Sequence, residues 1–529
     1  MESIWFIIII TLSICAALYK LLKAPKRLPL PPGPVSIPII TSFQWLRKSF
    51  ADLEPILNHL KTKYGPIITL SIGHQKSIFI TNSSLAHQAF IQNGAVFADR
   101  PPPLETSKIF SSNQHNITSA GYGTLWRLLR RNLTLQILHS SKVKSFSPAR
   151  KWVLNIIKKR LKKESKSAGK NTPVLVADHF QFGMFCLLVF MCFGEKLDLE
   201  KIREIEFVQR NLLMGFGKFQ ILNFFPRLSK IIFKKKWEEM NKLRTDQENV
   251  LIPLIRSRRQ EEKQIKKNTS DNLEEESLGS CYVDSLLNLE LPDEEDEGGR
   301  RRKLCENEIV SLCSEFLNAG TDTTSTALQW VMANLVKHQE IQSKLFEEIR
   351  KISDDSDGDE IEEEDLKRLP YLKAVILEGL RRHPPAHFVL PHGVTEDVEL
   401  HGHVIPREAT VNVMVAEIGW DSKIWGEDSM EFKPGRFLNE DDGSLNEEMS
   451  DVTGNKEIKM IPFGAGRRMC PAAGLAMLIL EYFVANLVKR FKWTAKVGDD
   501  VDLSEKQEFT VVMKNPLWAH VLTREEEVH

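Results

Sequence analysis

The chain has no surplus of charge. Its 71 Lys and Arg are matched by 71 Asp and Glu, so the positive field of a nucleic-acid-binding protein is missing and nucleic acid drops out as a default partner. The seven cysteines, at 15, 186, 192, 281, 305, 313 and 470, form no pair at CxxC spacing. That removes metal knuckles, and an odd count in a chain of 529 residues argues against a disulfide framework and for a reducing compartment. No GxGxxG and no Walker segment occurs, so no nicotinamide or nucleotide domain of its own is expected. There is also no repeat of solenoid length. What is present is a 42% hydrophobic sequence able to build one large core or several smaller ones.

One apolar run stands apart. Residues 4–19 are uncharged and extend to Leu22 if the Lys20 ammonium snorkels to the interface, about the length a bilayer core requires. Glu2 precedes the run, whereas Lys20, Lys23, Lys26 and Arg27 follow it. This asymmetry predicts a retained anchor in a lipid bilayer, with the rest of the chain in the cytosol, rather than a cleaved signal peptide. Leu30-Pro31-Pro32-Gly33-Pro34 removes backbone donors and fixes φ, which reads as a stiff hinge. The resulting division is an N-terminal membrane anchor at 1–24, a proline-rich hinge at 25–38 and one large domain at 39–529. The sequons at Asn82, Asn116, Asn132 and Asn268 are then expected to stay bare.

Within the large domain, 67–70 and 77–80 alternate as a hairpin-like strand pair around Gly73. Helical periodicity is strongest at 140–163, 202–222, 234–259, 306–337 and 371–382. Two polar interruptions, 261–296 and 353–365, carry acidic runs and read as solvated surface loops. The fold class is therefore mainly α with minor β (α+β): a single large helical domain with small sheets.

Four segments carry chemistry. In Phe463-Gly464-Ala465-Gly466-Arg467-Arg468-Met469-Cys470-Pro471, glycines let the backbone turn tightly and approach a flat ligand. Cys470 stands where a helix is expected to begin at Pro471, a position that favours a thiolate. Glu378 and Arg381, at i and i+3, share a helix face and can pair, leaving guanidinium donors for a third group. Asn318-Ala319-Gly320-Thr321-Asp322-Thr323-Thr324-Ser325 concentrates hydroxyls inside a helical run, which suggests a local distortion or polar cavity, or alternatively a new helix capped at Asp322. One turn of helix brings the Trp126 N–H and the Arg130 guanidinium to the same side, suited to a carboxylate.

The spacing of Phe463, Gly466, Arg468 and Cys470 resembles the FxxGxRxC pattern of the cytochrome P450 superfamily, and the likeness spans essentially the whole chain, most like plant microsomal members. The resemblance implies haem b (iron protoporphyrin IX) with Cys470 as the axial thiolate ligand, and Trp126, Arg130, His392 and Arg468 around its propionates. It implies an ExxR lock of Glu378 and Arg381 with Arg436 from Phe432-Lys433-Pro434-Gly435-Arg436-Phe437. It also implies an oxygen groove in which Gly320 leaves space above the iron, and Asp322 and Thr323 pass protons to the distal oxygen. Two positions depart from the pattern: Gly435 replaces the usual glutamate and Ala472 the usual glycine.

A member of this family would be a monooxygenase using O2 on a hydrophobic small-molecule substrate, its pocket drawn from 101–121, Phe316 and 386–390. Electrons would come from NADPH–cytochrome P450 reductase on the endoplasmic reticulum membrane, steered by Arg127, Arg131 and Arg467. A haem-thiolate isomerase or dehydratase acting on peroxides, and a non-catalytic haem-binding protein, are the alternatives. The intact Asp322-Thr323 pair argues against the former.

Overall fold

The computed structural model describes residues 28–35, 45, 48, 50–72, 75–167, 172–223, 226–268, 281–292, 301–353, 360–496, 498 and 500–524. The expected anchor at 1–24 and the hairpin turn at Gly73 lie outside them, as do the middles of both acidic interruptions. Part of the expected hinge is described, and it is docked: the carbonyls of Pro29 and Pro32 accept the N–H groups of Val404 (3.0 Å) and Thr69 (2.8 Å).

The elements used below are helices α1 (Phe50–Tyr64), α2 (Thr124–Gln136), α3 (Ser147–Ser167), α4 (Val176–Phe193), α5 (Leu199–Gly215), α6 (Lys234–Asn268), α7 (Glu306–Lys337), α8 (Pro370–Arg382) and α9 (Ala473–Arg490). The strands are β1 (Ile67–Ile72), β2 (Gln75–Ile80), β3 (His392–Gly393), β4 (Thr410–Val413), β5 (Phe491–Ala495), β6 (Glu505–Gln507), β7 (Val511–Met513) and β8 (Trp518–Thr523). One sheet runs β1-β2-β4-β3. The antiparallel pair β1–β2 registers Ile67 with Ile80, and β2 pairs in parallel with β4, Ser77 opposite Thr410. Parallel pairing across more than 300 residues requires the helical mass between the two strands as its crossover.

Helix α7 is the axis of the domain, packed on α4, α8 and α9. It starts at a capping box in which the Glu308 carboxylate accepts the Cys305 N–H at 2.8 Å. Helix α4 is buried almost all round. It is long and apolar enough to cross a membrane, but 78% of it is buried inside the protein, so it is a core helix. With no polar face it has no amphipathic period, and the sequence reading missed it.

Other boundaries move for identifiable reasons. The helix expected over 140–163 is two, Ser140–Ser145 and α3, because Pro148 fits a first turn but not a helix interior. The one expected over 202–222 leaves α-geometry at Gly215 and continues as a tighter 3-10 turn, Phe216–Asn223. Helix α6 runs on to Asn268, and Tyr282–Leu287 is a further helix, so much of 261–296 is ordered chain rather than solvated loop. The acidic run ending at 365 is likewise clamped: Glu363 takes two hydrogen bonds from the fully buried Arg150, at 2.7 and 2.8 Å, and Glu360 pairs with Lys158 at 2.9 Å. Its basic partner is α3 of the same chain.

A buried cluster joins three distant pieces. Glu54 of α1 lies 2.8 Å from His387, whose other nitrogen is 3.2 Å from Glu505 of β6; Glu505 also contacts His383 at 2.7 Å. His383 stacks face to face on Trp330 at 4.0 Å, and burial pushes it down to about 4. Burial acts the same way on His387, but the carboxylates of Glu505 and Glu54 outweigh it and hold the ring at about 9. A histidine raised above its unfolded value near 6.5 contributes stability that is complete below that pH and lost as pH climbs through the folded value. The melting temperature is therefore expected to fall between pH 6.5 and 9, a change on the order of 3 kcal/mol in stability at most. The double variant Glu54→Gln, Glu505→Gln should start lower and lose that slope, and an unchanged slope in thermal melts would rule the assignment out.

Candidate functional site

Cys470 lies between a 3-10 turn, Gly466–Arg468, and α9. Its N–H donates to the Phe463 carbonyl at 2.9 Å, and Met469 N–H to Gly466 at 3.1 Å. The Met469 carbonyl accepts Arg130 Nη2 at 2.6 Å, which joins the loop to α2. Gly466 has φ +68, and a Cβ there would sit 2.1 Å from the Phe90 carbonyl oxygen. Only glycine allows that approach. Phe463 packs its ring against the main core, so the cysteine loop is held from both ends.

Helix α9 begins at Ala473, two residues beyond the expected start at Pro471, with Ala472 as its N-cap. The thiol is not poised as a thiolate by the protein alone. Burial pushes Cys470 above its ordinary value, against the smaller opposing pulls of the Ala472 N–H and the Arg130 guanidinium. A cation at the sulfur would reverse that balance.

Beside the loop is a cluster of cations. Arg468 donates to the carbonyls of Ala98 (2.7 Å), Ile117 (3.2 Å) and Ala120 (2.6 Å), with its guanidinium 4.5 Å over the Trp126 ring. Arg130 lies 5.5 Å from the same ring. Arg100, which the sequence reading missed, donates to Thr118, Leu390 and Pro391 carbonyls. Burial, then the neighbouring charge of Arg100, pushes Arg468 down to about 9. Trp126 Nε1 is buried and has no hydrogen-bond partner among the described residues.

His392 stands in this cluster as expected from the sequence, but as a neutral ring. It stacks on Phe90 at 4.3 Å and its Nδ1 donates to the Phe97 carbonyl at 2.6 Å, while burial, then Arg100, pushes it to about 3. Its Nε2 is therefore an acceptor until an anion arrives to hold a proton there. Guanidiniums lowered by burial, with Asp99 and Glu315 as neighbouring carboxylates, stand beside an indole N–H without a partner among the described residues, a site that favours further negative charge and a further acceptor. A flat ligand carrying carboxylates supplies both, so the donor set fits the propionate edge of a haem.

On α8, Glu378 and Arg381 form a two-bonded pair at 2.6 and 2.8 Å, with both side chains fully buried. The remaining Arg381 donors reach Gly419 and Ser429 carbonyls, each at 2.7 Å, and Glu431 at 3.1 Å. Arg436 closes the network as the sequence suggested: its Nε lies 3.4 Å from Glu378 and its Nη1 donates to the Trp425 carbonyl at 2.7 Å.

The hydroxyl-rich segment neither breaks nor restarts α7. Thr323 Oγ1 donates to the Ala319 carbonyl at 2.7 Å, Ser325 to Gln181 at 2.7 Å, and Thr326 shares a hydrogen with Thr510 at 2.9 Å, so these hydroxyls are occupied without opening the helix. At Gly320 a Cβ would meet Leu188 Cδ1 of α4 at 2.6 Å, so the glycine spares that side chain a shift where the two helices pack. Asp322 faces α4 and α5, with its carboxylate 3.3 Å from Gln181 Nε2 and 4.0 Å from Arg210 Nη1. Burial raises its pKa, against Arg210 and Gln181. The acid and the alcohol are neighbours in sequence but bond to different partners.

A cysteine loop ahead of a long helix, a buried Glu-Arg-Arg lock and a central helix bearing an acid–alcohol pair define a haem-thiolate fold, and the cytochrome P450 family matches residues 31–521. The chain belongs to that family: it is a P450 monooxygenase whose cofactor is haem b, bound through a cysteine thiolate. It is 51% identical over 499 residues to cytochrome P450 89A9 of Arabidopsis thaliana, covering 94% of each chain, and 30% identical over 492 residues to salviol synthase of Salvia pomifera, covering 91% of this chain and 89% of the other. The fold is shared with a zebra fish cytochrome P450 solved with abiraterone, at TM-score 0.67 and 21% identity over 89% of this chain and all of that one.

Gly466→Ala should leave the helical core intact while disrupting the cysteine loop, through left-handed strain of about 1–3 kcal/mol plus the clash with Phe90. The expected result is unchanged far-ultraviolet circular dichroism with loss of most bound haem, read as the ratio of Soret to protein absorbance. Full haem retention would refute the close approach.

Proposed function

We propose that Cys470 is the haem ligand and that the protein inserts oxygen from O2 into a hydrophobic small molecule, with electrons supplied by NADPH–cytochrome P450 reductase. The observation that carries this reading is the cysteine loop itself, fixed to Phe463, Phe90 and Arg130 beside the cluster of Arg100, Arg130 and Arg468. When bound, haem supplies reductive activation of O2 for attack on a substrate C–H or π bond.

The residues of the chain do the rest. Trp126, Arg130, Arg468 and Arg100 bind and orient the carboxylate edge, and His392 gains a proton at Nε2 beside it. Phe463 backs the cysteine, and Glu378, Arg381 and Arg436 keep the surrounding segments in place. Asp322, a carboxyl raised by burial, takes protons from the α5 side, where Arg210 is half exposed, and passes them to Thr323 Oγ1. That hydroxyl would accept one proton and release another for the reduction of O2 when the cofactor is bound.

The reading also places 1–24 in the endoplasmic reticulum membrane as a single-pass anchor, 25–38 as the connection, and 39–529 as the catalytic domain in the cytosol. The reductase then meets the cysteine side. Arg127, Arg131 and Arg467 are exposed there, around a groove of about 460 Å³ lined by Trp126, Arg127, Arg130, Arg131, Thr134 and Leu135.

Two experiments test this. The reduced, carbon-monoxide-treated protein in membranes should show the red-shifted Soret band of a thiolate ligand, and Cys470→Ser should lose it. An ordinary haem–CO band in the unaltered, haem-loaded protein would sink the assignment. Reversing Arg127 and Arg131 to Glu should weaken reductase binding about tenfold, a loss of about 1.4 kcal/mol, with the carbon monoxide spectrum unchanged. Equal affinity of variant and parent in a titration of NADPH-driven reduction would remove that surface from consideration.

A further inference from the structure

Gln181 is the side chain on α4 that reaches the acid of α7. Its Nε2 donates to Asp322 Oδ1 at 3.3 Å, and its Oε1 accepts the Ser325 hydroxyl at 2.7 Å. The two contacts determine each other. An ionised carboxylate can face only the amide NH2, and the amide oxygen then turns to Ser325, one turn further along α7. Arg210 approaches the same carboxylate oxygen from α5, but at 4.0 Å and with half of its side chain in solvent, where screening weakens it. Among the described residues, the side-chain hydrogen bond to Asp322 is therefore that of the amide, at 3.3 Å.

Resting on the reading of Asp322 and Thr323 as the proton path, we propose that Gln181 is a positioning residue for that path: clamped by Ser325, it holds the Asp322 carboxylate at the α4–α5 junction, where protons enter from solvent. Thr323 keeps its own hydrogen in the Ala319 carbonyl, so transfer requires Asp322 to leave the amide and turn along α7. The amide sets how readily the acid is held, loaded and released. The charged groups facing Asp322 are Arg210 and Glu206 of α5 and Glu508 of the β6–β7 turn. Glu206 and Glu508 disfavour its ionised form, whereas Gln181 and Arg210 favour it.

The test uses the ferric holoenzyme in D2O. The infrared carbonyl band of protonated Asp322, identified by its loss in Asp322→Asn, is followed against pH. Gln181→Leu removes a donor that favours the carboxylate, so the midpoint should rise by about one pH unit. Ser325→Ala, which frees the amide to turn, should move it the same way by less, and it carries the test alone if Gln181→Leu does not fold. Oxygen consumption with NADPH and reductase, without added substrate, should show its alkaline limb displaced upward in step with the band. An unmoved band and limb in both variants, while Asp322→Asn suppresses oxygen consumption, would overturn the role of Gln181 and leave Asp322 in place. If Asp322→Asn leaves the pH profile unchanged, the reading of Asp322 fails and the proposal with it.

Discussion

A guanidinium with no access to solvent must find an acceptor for every donor, and at position 381 that requirement organises half of the molecule. Arg381 is fully buried, and only two of its hydrogen bonds end on Glu378; the others end on backbone carbonyls at 419, 429 and 431. Glu378 in turn accepts the Lys433 N–H at 2.7 Å. Removing two charges from water costs several kcal/mol each, and only a complete set of partners offsets it. The irregular chain from 419 to 436 is therefore held by the cost of leaving Arg381 unsatisfied. Trp425 within that stretch and Phe437 at its end pack with Met460 just before the cysteine loop.

The same logic runs in the opposite direction around Trp126. There the hydrogen bonds of Arg100, Arg130 and Arg468 end on backbone carbonyls, which are neutral, with Asp99 and Glu315 as neighbouring carboxylates. Burial is the main cause lowering all three guanidiniums, and Arg468 is lowered further by Arg100 and Arg130, so a ligand of opposite charge would be favoured there. Burial likewise raises the Cys470 thiol, and on the proposed reading a bound metal cation would favour its thiolate.

How much of this is legible in the sequence depends on whether partners are close along the chain. The cysteine loop, the Glu378–Arg381 pair and the Trp126–Arg130 pair have spacings of a few residues; the two pairs form as read, and the loop differs in that its helix starts at Ala473 rather than Pro471. The long helix at 306–337 is read to the residue because its amphipathic period is continuous. Contacts across hundreds of residues leave no local trace: Arg100 with Arg468, Glu54 with His387, Gln181 with Asp322. The acidic run at 360–364 was misread for the same reason, since a loop destined for solvent and a loop destined for Lys158 and Arg150 have the same composition. Gly320 is a subtler case, in which a motif glycine was identified correctly and its neighbour, Leu188, could not be.

The two departures from the family pattern show what a motif position encodes. A Cβ at Gly435 would meet nothing within 4 Å, and the 3-10 turn Pro434–Phe437 forms regardless. Its arginine is anchored by Trp425 and by Asp428, 2.7 Å away, and Lys433 pairs with Asp428 and Glu431 at the surface. A glutamate at 435 would project from a turn already held by its neighbours. Ala472 has φ −99, a conformation open to any L-residue, so the backbone makes no demand for glycine there. Gly466 differs on both counts, in φ and in its contact with Phe90, and it is retained. Glycine is demanded at 466, where backbone meets backbone, and neither position 435 nor position 472 makes that demand.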